Sequence, residues 1–289
     1  MTALWLKRLS STLPLRAQQA LKRRHFARQI RSGTFLRLEP EFGHLEEWVA
    51  AGDWVLDVGA NIGHYTARLS KLVGADGRVL AFEPVTETFE LLAANMAVAG
   101  ARNVSLFNVA ASAQMGVAGV ALPQFSSGLT NYYMAGITSG EGEFKVLTLP
   151  LDCVMPSARV TLVKVDVEGH EYQALQGMRE LLRRDHPRLI VEGASKEVET
   201  LLGELGYAFT TFPGSPNRVF SVPHKRSARW RTASECGGVP EIGGAVGSAL
   251  SWRIEMTPRS DSGAAPGPCA RARLADVSIN SACEARVGW

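Results

Sequence analysis

"WVLDVGANIGHYT", residues 54–66, is an apolar run that ends on Asp57 and then breaks on two glycines four apart, Gly59 and Gly63, with Asn61 between them. Tyr65, Leu69, Leu72 and Val73 follow at i, i+4, i+7 and i+8, the stripe of one helix face. A strand that turns through glycine into a helix offers free amides and the positive end of a helix dipole, so it suits a small anionic or nucleotide-like ligand.

The same alternation continues outward. "GRVLAFEP" (77–84) predicts a second strand and "NVSLFNVAAS" (103–112) a third, with Phe89, Leu92, Ala93 and Met96 marking the helix between them. "RVTLVKVDVEG" (159–169) predicts a fourth strand, backed by Leu175, Met178, Leu181 and Leu182, and "RLIVEG" (188–193) a fifth. Leu201, Leu202 and Leu205 mark a further helix that Gly206 stops. "YAFTTF" (207–212) and "RVFSV" (218–222) are separated only by "PGSPN", too short for a parallel crossover, so they should form an antiparallel hairpin. Repeated strand–helix units imply helices on both faces of a parallel sheet. The expected fold is α/β, a doubly wound, mostly parallel seven-stranded sheet with its last strand antiparallel.

Three stretches fall outside this pattern. Residues 113–158 read as an insertion with some β character, including "FKVLTL" (144–149), placed to overhang the carboxyl edge of the sheet, and Tyr132 and Tyr133 within it are candidates for an acceptor pocket. Residues 225–289 carry no sustained period, and Ala, Gly, Arg and Ser make up over half of them. They read as a disordered tail, or as out-of-frame coding. Residues 1–38 contain no Asp or Glu but hold Arg16, Lys22, Arg23, Arg24, Arg28 and Arg31 among leucines. That composition fits a basic helical extension leading into a domain at 39–224, a transit-peptide mimic, or a segment that rests peripherally on an anionic membrane or acidic partner.

The net charge of +3 is too small to argue for nucleic acid, and none is expected as a partner. No apolar run approaches the ~18–20 residues that span a bilayer. Cys153, Cys236, Cys269 and Cys283 fit no zinc spacing, so free thiols in the cytoplasm are expected.

Three ligands commonly sit on such a glycine turn. A P-loop requires a Gly-Lys-Ser/Thr ending, which is missing. A dinucleotide fingerprint aligned on Gly59 meets Asn61 and His64 where it needs glycine. S-adenosylmethionine remains. Asp57 is placed for its ammonium, Gly59 and Gly63 for close backbone approach, and the amides of Ile62–Tyr65 for its carboxylate. Glu83, ending the second strand, is placed for the ribose, and Asn108–Ala111 for the adenine edge.

Taken in order, "VLDVGANIGHYT", "VLAFEP", "NVAAS", "TLPLD" and "LVKVDVEGHEYQALQGM" resemble the FkbM-type S-adenosylmethionine-dependent methyltransferases over roughly residues 41–224. The resemblance implies a class I methyltransferase fold and O-methylation of hydroxyls on sugars, polyketides or other small molecules. It also implies a cofactor pocket at Asp57, Gly59, Asn61, Gly63 and Glu83. Asp166, Glu168, Gly169 and Glu171 match the family's second block.

The reaction is expected at "DVEGHE". An alcohol must shed its proton as it attacks, and a held base typically supplies about 10²–10⁴-fold. His170 is the natural base near neutral pH, Asp166 can orient the hydroxyl or take its proton, and Glu168 stands between them. Glu168 and Glu171 can equally complement the start of the next helix. Asp166 and Glu192, on neighbouring strands, form an alternative site for a divalent ion, which is not favoured. The expected acceptor is a small molecule or glycan, and oligomeric state is left open. A non-catalytic membrane- or partner-binding protein on the same fold is the alternative function.

Overall fold

The computed structural model describes residues 14–36, 39–122, 135–138 and 142–223. Tyr132, Tyr133 and the 225–289 tail lie outside the described residues. Helix α1 (Leu15–Ser32) comes first, followed by two short turns of helix, α2 (Pro40–Gly43) and α3 (Leu45–Trp48). Then β1 (Trp54–Val58), α4 (His64–Val73), β2 (Arg78–Phe82), α5 (Thr86–Ala99) and β3 (Val104–Phe107) alternate as the periodicity requires. After an intervening segment come β8 (Val160–Val165), α6 (Glu171–Gln176), α7 (Arg179–Asp185), β9 (Arg188–Glu192), α8 (Lys196–Glu204), β10 (Ala208–Thr211) and β11 (Asn217–Ser221).

The main sheet has seven strands in the order β10-β11-β9-β8-β1-β2-β3. β11 runs antiparallel to both β10 and β9, and the β8, β9, β1, β2 and β3 pairings are parallel. The chain leaves β1 toward β2 and leaves β8 toward β9, so the winding reverses between β1 and β8. That reversal opens a crevice beyond the carboxyl ends of those two strands.

Strand alternation sorts the core onto two faces. Leu56, Leu80, Val163, Leu189 and Phe220 pack with Leu175, Leu181, Leu182 and Leu201 on one side. Val55, Val79, Leu162, Ile190 and Val219 pack with Tyr65, Leu69, Val73, Phe42 and Leu45 on the other. Successive residues of each strand therefore face opposite layers, as the period of two demands. β1, β8 and β9 are covered on both sides, which is why their sequences are almost continuously apolar.

The third predicted strand divides. β3 stops at Phe107, Asn108 and Val109 turn the chain, and β4 (Ala110–Ala111) joins a second sheet. That sheet also holds β5 (Gly116–Ala121), β6 (Gly136–Thr138) and β7 (Phe144–Leu149), in the order β4-β7-β5-β6. The side chain of Asn108 explains the turn: its Nδ2 donates to the carbonyls of Glu83 (2.8 Å) and Pro84 (3.0 Å).

The chain leaves the second sheet through a 3-10 turn at Leu151–Val154. Asp152 in that turn accepts from the amides of Glu180 and Leu181, each at 2.9 Å, and so caps α7 from 28 residues away. Asp152→Ala is expected to cost about 1–2 kcal/mol, as loss of a helix cap does. A lower denaturant midpoint with unchanged slope would show it.

Candidate active site

Strand parity places the polar side chains. Asp57 shares a face with Val55, Lys164 with Leu162, and Glu192 with Ile190, so all three point to the layer of Tyr65 at the carboxyl edge. Asp57 and Lys164 are register partners across β1 and β8. Asp166 follows β8, its amide donating to the carbonyl of Val58 at 2.9 Å. Gly59 (φ 80°) lies against the same turn: a Cβ on it would stand 1.7 Å from the Asp166 carbonyl oxygen. The glycine turn and the "DVEG" turn are thus one packed unit.

Two chambers open along this edge. A largely apolar one is lined by Glu83, Val85, Val109 and Ala110, with Val120 and Ile137 of the second sheet across from them. A polar one, about 210 Å³, is lined by Asp57, His64, Tyr65, Lys164 and Glu192. Gly59, Asn61, Asp166 and Glu168 line both.

In the apolar chamber Glu83 is fixed by main-chain donors. Its Oε2 accepts from the amide of Asn61 and its Oε1 from that of Val85, both at 2.9 Å. Burial nevertheless dominates and pushes its carboxyl up to about 7. Asn61 holds a positive φ of 51°, and its Oδ1 accepts from the amide of Ile62 at 2.8 Å. The carboxylate of Glu83 and the loop that carries Asn61 are therefore preset together.

The polar chamber gathers charge around two buried groups, Asp57 and Lys164. Asp57 is fully buried. Its Oδ2 accepts from Thr66 Oγ1 at 2.5 Å, and its Oδ1 has no hydrogen-bond partner among the described residues. Burial raises the Asp57 carboxyl, with Lys164 and Thr66 opposing the rise. Lys164, only 3 % exposed, places its Nζ 2.7 Å from Asp166 Oδ2 and 4.9 Å from the centre of the Tyr65 ring. Glu192 is pushed up to about 7 by burial first, then by a hydrogen bond and like charge from Asp166.

Comparison with known proteins bears on this edge. The sequence profile of the Methyltransferase FkbM domain matches residues 57–209, just over half of the chain. The chain belongs to the FkbM methyltransferase family. A curated relative, the hexuronic acid methyltransferase AglP of Haloferax volcanii, is 31% identical over 134 residues, which are 45% of this chain and 52% of the relative. The chain thus spans about half the length of that relative. Among solved structures, methyltransferase FkbM from Methylobacillus flagellatus KT aligns with a TM-score of 0.42 at 17% identity, over 63% of this chain and 50% of that one. A SAM dependent methyltransferase from Aquifex aeolicus aligns with a TM-score of 0.41 at 18% identity, over 68% and 97%.

The structure brings most of the predicted residues of this FkbM-family chain together and sets others apart. Asp57, Gly59, Asn61, Glu83, Asp166 and Glu168 line the chambers. Gly63 does not. Its φ is 93°, and a Cβ there would meet Leu92 and Met96 at 2.6 and 2.8 Å, so it seats α4 against α5. Asn108 braces the Glu83–Pro84 main chain and is also absent from the lining. The Ile62 amide, expected to face a carboxylate, is taken by Asn61. His170 is absent from both linings: its Nε2 lies 3.0 Å from Ser112 Oγ, under the second sheet. Burial lowers its pKa, which further disfavours the cation. Glu171 accepts from the Gly169 amide at 3.0 Å and shapes the turn.

Lys164 was hidden inside "TLVKVDV". A lysine in a strand covered on both faces is the signal, since lysine is almost never fully buried without a partner. Its ammonium also bears on the divalent-ion alternative. The cation against Asp166, between Asp57 and Glu192, is supplied by the chain itself. A divalent ion prefers several oxygen ligands, and the Lys164 ammonium already lies against one of the two expected, Asp166.

Gly59→Ala is expected to lose about 2–4 kcal/mol of stability, because positive φ and backbone collision add. A thermal or denaturant melt reads this directly. Glu83 gives a pH test. Its folded pKa lies above the ordinary 4.5, so the stability linked to its proton is complete below about pH 4.5 and is lost as pH rises through about 7. Glu83→Gln should make the fall in melting temperature between those two values shallower.

Proposed function

We propose that this chain transfers the methyl group of S-adenosylmethionine to a hydroxyl of a sugar or sugar-like small molecule. The observation that carries the reading is the position of Asp166, which lines both chambers, between Asp57 in one and Glu83 in the other, and so lies beside the middle of a donor that spans the two.

The residues fit the donor. The unpartnered, buried Oδ1 of Asp57 suits an ammonium, directly or through water. The fixed carboxylate of Glu83 suits two neighbouring ribose hydroxyls. Val85, Val109 and Ala110 suit a flat apolar base. When bound, the sulfonium supplies an electrophilic methyl carbon and a neutral leaving group. The chain has then to place a hydroxyl and receive its proton.

Asp166 is the group placed to receive it. Lys164 balances the charge of its carboxylate, and Glu192 lies on its other side as a second holder for the proton. Two carboxyls and one ammonium together give the proton a place to go as it leaves the hydroxyl. Glu168, held at φ 50°, also lines the polar chamber and can bond further hydroxyls of a polyol. The sugar class is supported by the name of the curated relative and by the polar lining.

The test is direct. Calorimetry should find S-adenosylmethionine binding that Asp57→Ala abolishes; no binding to the intact chain would overturn the reading. With labelled donor and a panel of neutral sugars and uronic acids, mass spectrometry should find an alkali-stable methyl ether. An alkali-labile ester would overturn the hydroxyl assignment. Asp166→Asn should lower kcat about 10²–10⁴-fold with donor affinity largely kept. His170→Gln should change kcat by less than about tenfold, since its ring turns to Ser112.

A further inference from the structure

The basic extension takes a definite form in α1. At about 100° per residue, Arg16, Arg23, Arg24, Arg28 and Arg31 fall within an arc of about 140°. All five are exposed. The packing face lies beside the arc: Phe26, about 60° beyond Arg23 on the same wheel, is buried with Leu91, Leu92 and Met96 of α5. Arg23, at one edge of the arc, pairs with Glu90 at 3.0 Å. Among the described residues no acid pairs with Arg16, Arg24, Arg28 or Arg31.

The arc is not purely charged. Leu21, 52 % exposed, borders it, and Leu36, 54 % exposed, follows the Gly33 turn that ends the helix. In sequence the segment before the helix continues the same mixture, with Leu4, Trp5, Leu6, Leu9 and Leu13 around Lys7 and Arg8, and the first acidic residue of the chain is Glu39.

We propose that this arginine face of α1 docks the enzyme on a lipid bilayer that carries anionic headgroups. Charge complementarity selects an anionic surface: a row of guanidiniums, each with a planar fork of donors, matches phosphate oxygens. The exposed leucines favour a bilayer over RNA. A bilayer can take apolar side chains at its headgroup boundary, and a phosphate backbone gives them nothing. Docking leaves the core untouched: Arg23 reaches α5 only at its exposed Glu90, and Arg16, Arg24, Arg28 and Arg31 are exposed. It does reach the site. Phe35, two residues past the helix-ending Gly33, is buried and stacks on His64 at 4.2 Å, and His64 is a wall of the polar chamber.

Co-sedimentation of the full chain with lipid vesicles tests the proposal. Binding is expected to phosphatidylcholine vesicles containing phosphatidylglycerol, to be absent with phosphatidylcholine alone, and to be lost at high salt. Each arginine near an anionic surface strengthens attachment by roughly fivefold. The triple variant Arg24→Glu/Arg28→Glu/Arg31→Glu should therefore bind more than about a hundredfold more weakly, while S-adenosylhomocysteine binding by calorimetry stays unchanged. If charge reversal disturbs folding, the triple Gln variant reads the same contact with a smaller loss. Equal binding to neutral vesicles, no binding to charged ones, an unaffected triple variant, or displacement of the vesicles by an RNA oligonucleotide would each overturn the proposal.

Discussion

The carboxyl edge of the sheet depends on a contact with no room for one methyl group. Gly59 ends β1 against the main-chain carbonyl of Asp166, which follows β8, and any Cβ would collide with it. The amides of Gly59 and Ala60 both donate to the Phe82 carbonyl at 2.9 Å, so the same turn is tied to β2. Three strand ends are thereby locked in one arrangement. Because Asp57, Glu83 and Asp166 sit on those ends, their spacing follows from backbone packing, and their side chains need little freedom of their own. Such preset geometry is what a transfer between two bound partners requires.

Charge is arranged by the same economy. Four acids, Asp57, Asp166, Glu168 and Glu192, crowd the polar chamber, and burial pushes the carboxyls of Asp57 and Glu192 up. Lys164 offsets part of that, lying beside Asp57 in register and bonded to Asp166. A removed partner would leave a buried charge uncompensated, which is the costly outcome for such pairs. The lysine therefore makes the cluster tolerable to the fold.

Much of the frame was legible in the sequence. Period-two and period-3.6 patterns located the seven strands of the main sheet and their covering helices, since both faces of the sheet are buried and the patterns are strong. Asp57, Glu83 and Asp166 stood out as acids at the ends of apolar runs. Other contacts were not legible. Gly63, Asn108 and His170 have the residue types of a ligand site, and in the structure each also meets a neighbour: α5, the β2 end and Ser112 respectively. Residue type shows what a side chain can bond, and only the tertiary neighbours show what it does bond. Lys164 escaped for the opposite reason. Its apolar surroundings hid it, and its importance appears only when β1, β8 and β9 are set side by side.

The second sheet has one further consequence. Its entry strand β4 and exit strand β7 lie side by side, Ala110 opposite Thr148 and Ala111 opposite Leu149, and the Ser112 amide donates to the Leu149 carbonyl at 3.1 Å. The stem is closed whatever hangs from it, and the entropy of a closed loop grows only slowly with its length. Everything between the two strands is therefore a cassette. Relatives can lengthen, shorten or replace it over evolutionary time, and an engineer can exchange it between enzymes, without shifting a single strand of the sheet that holds the acids.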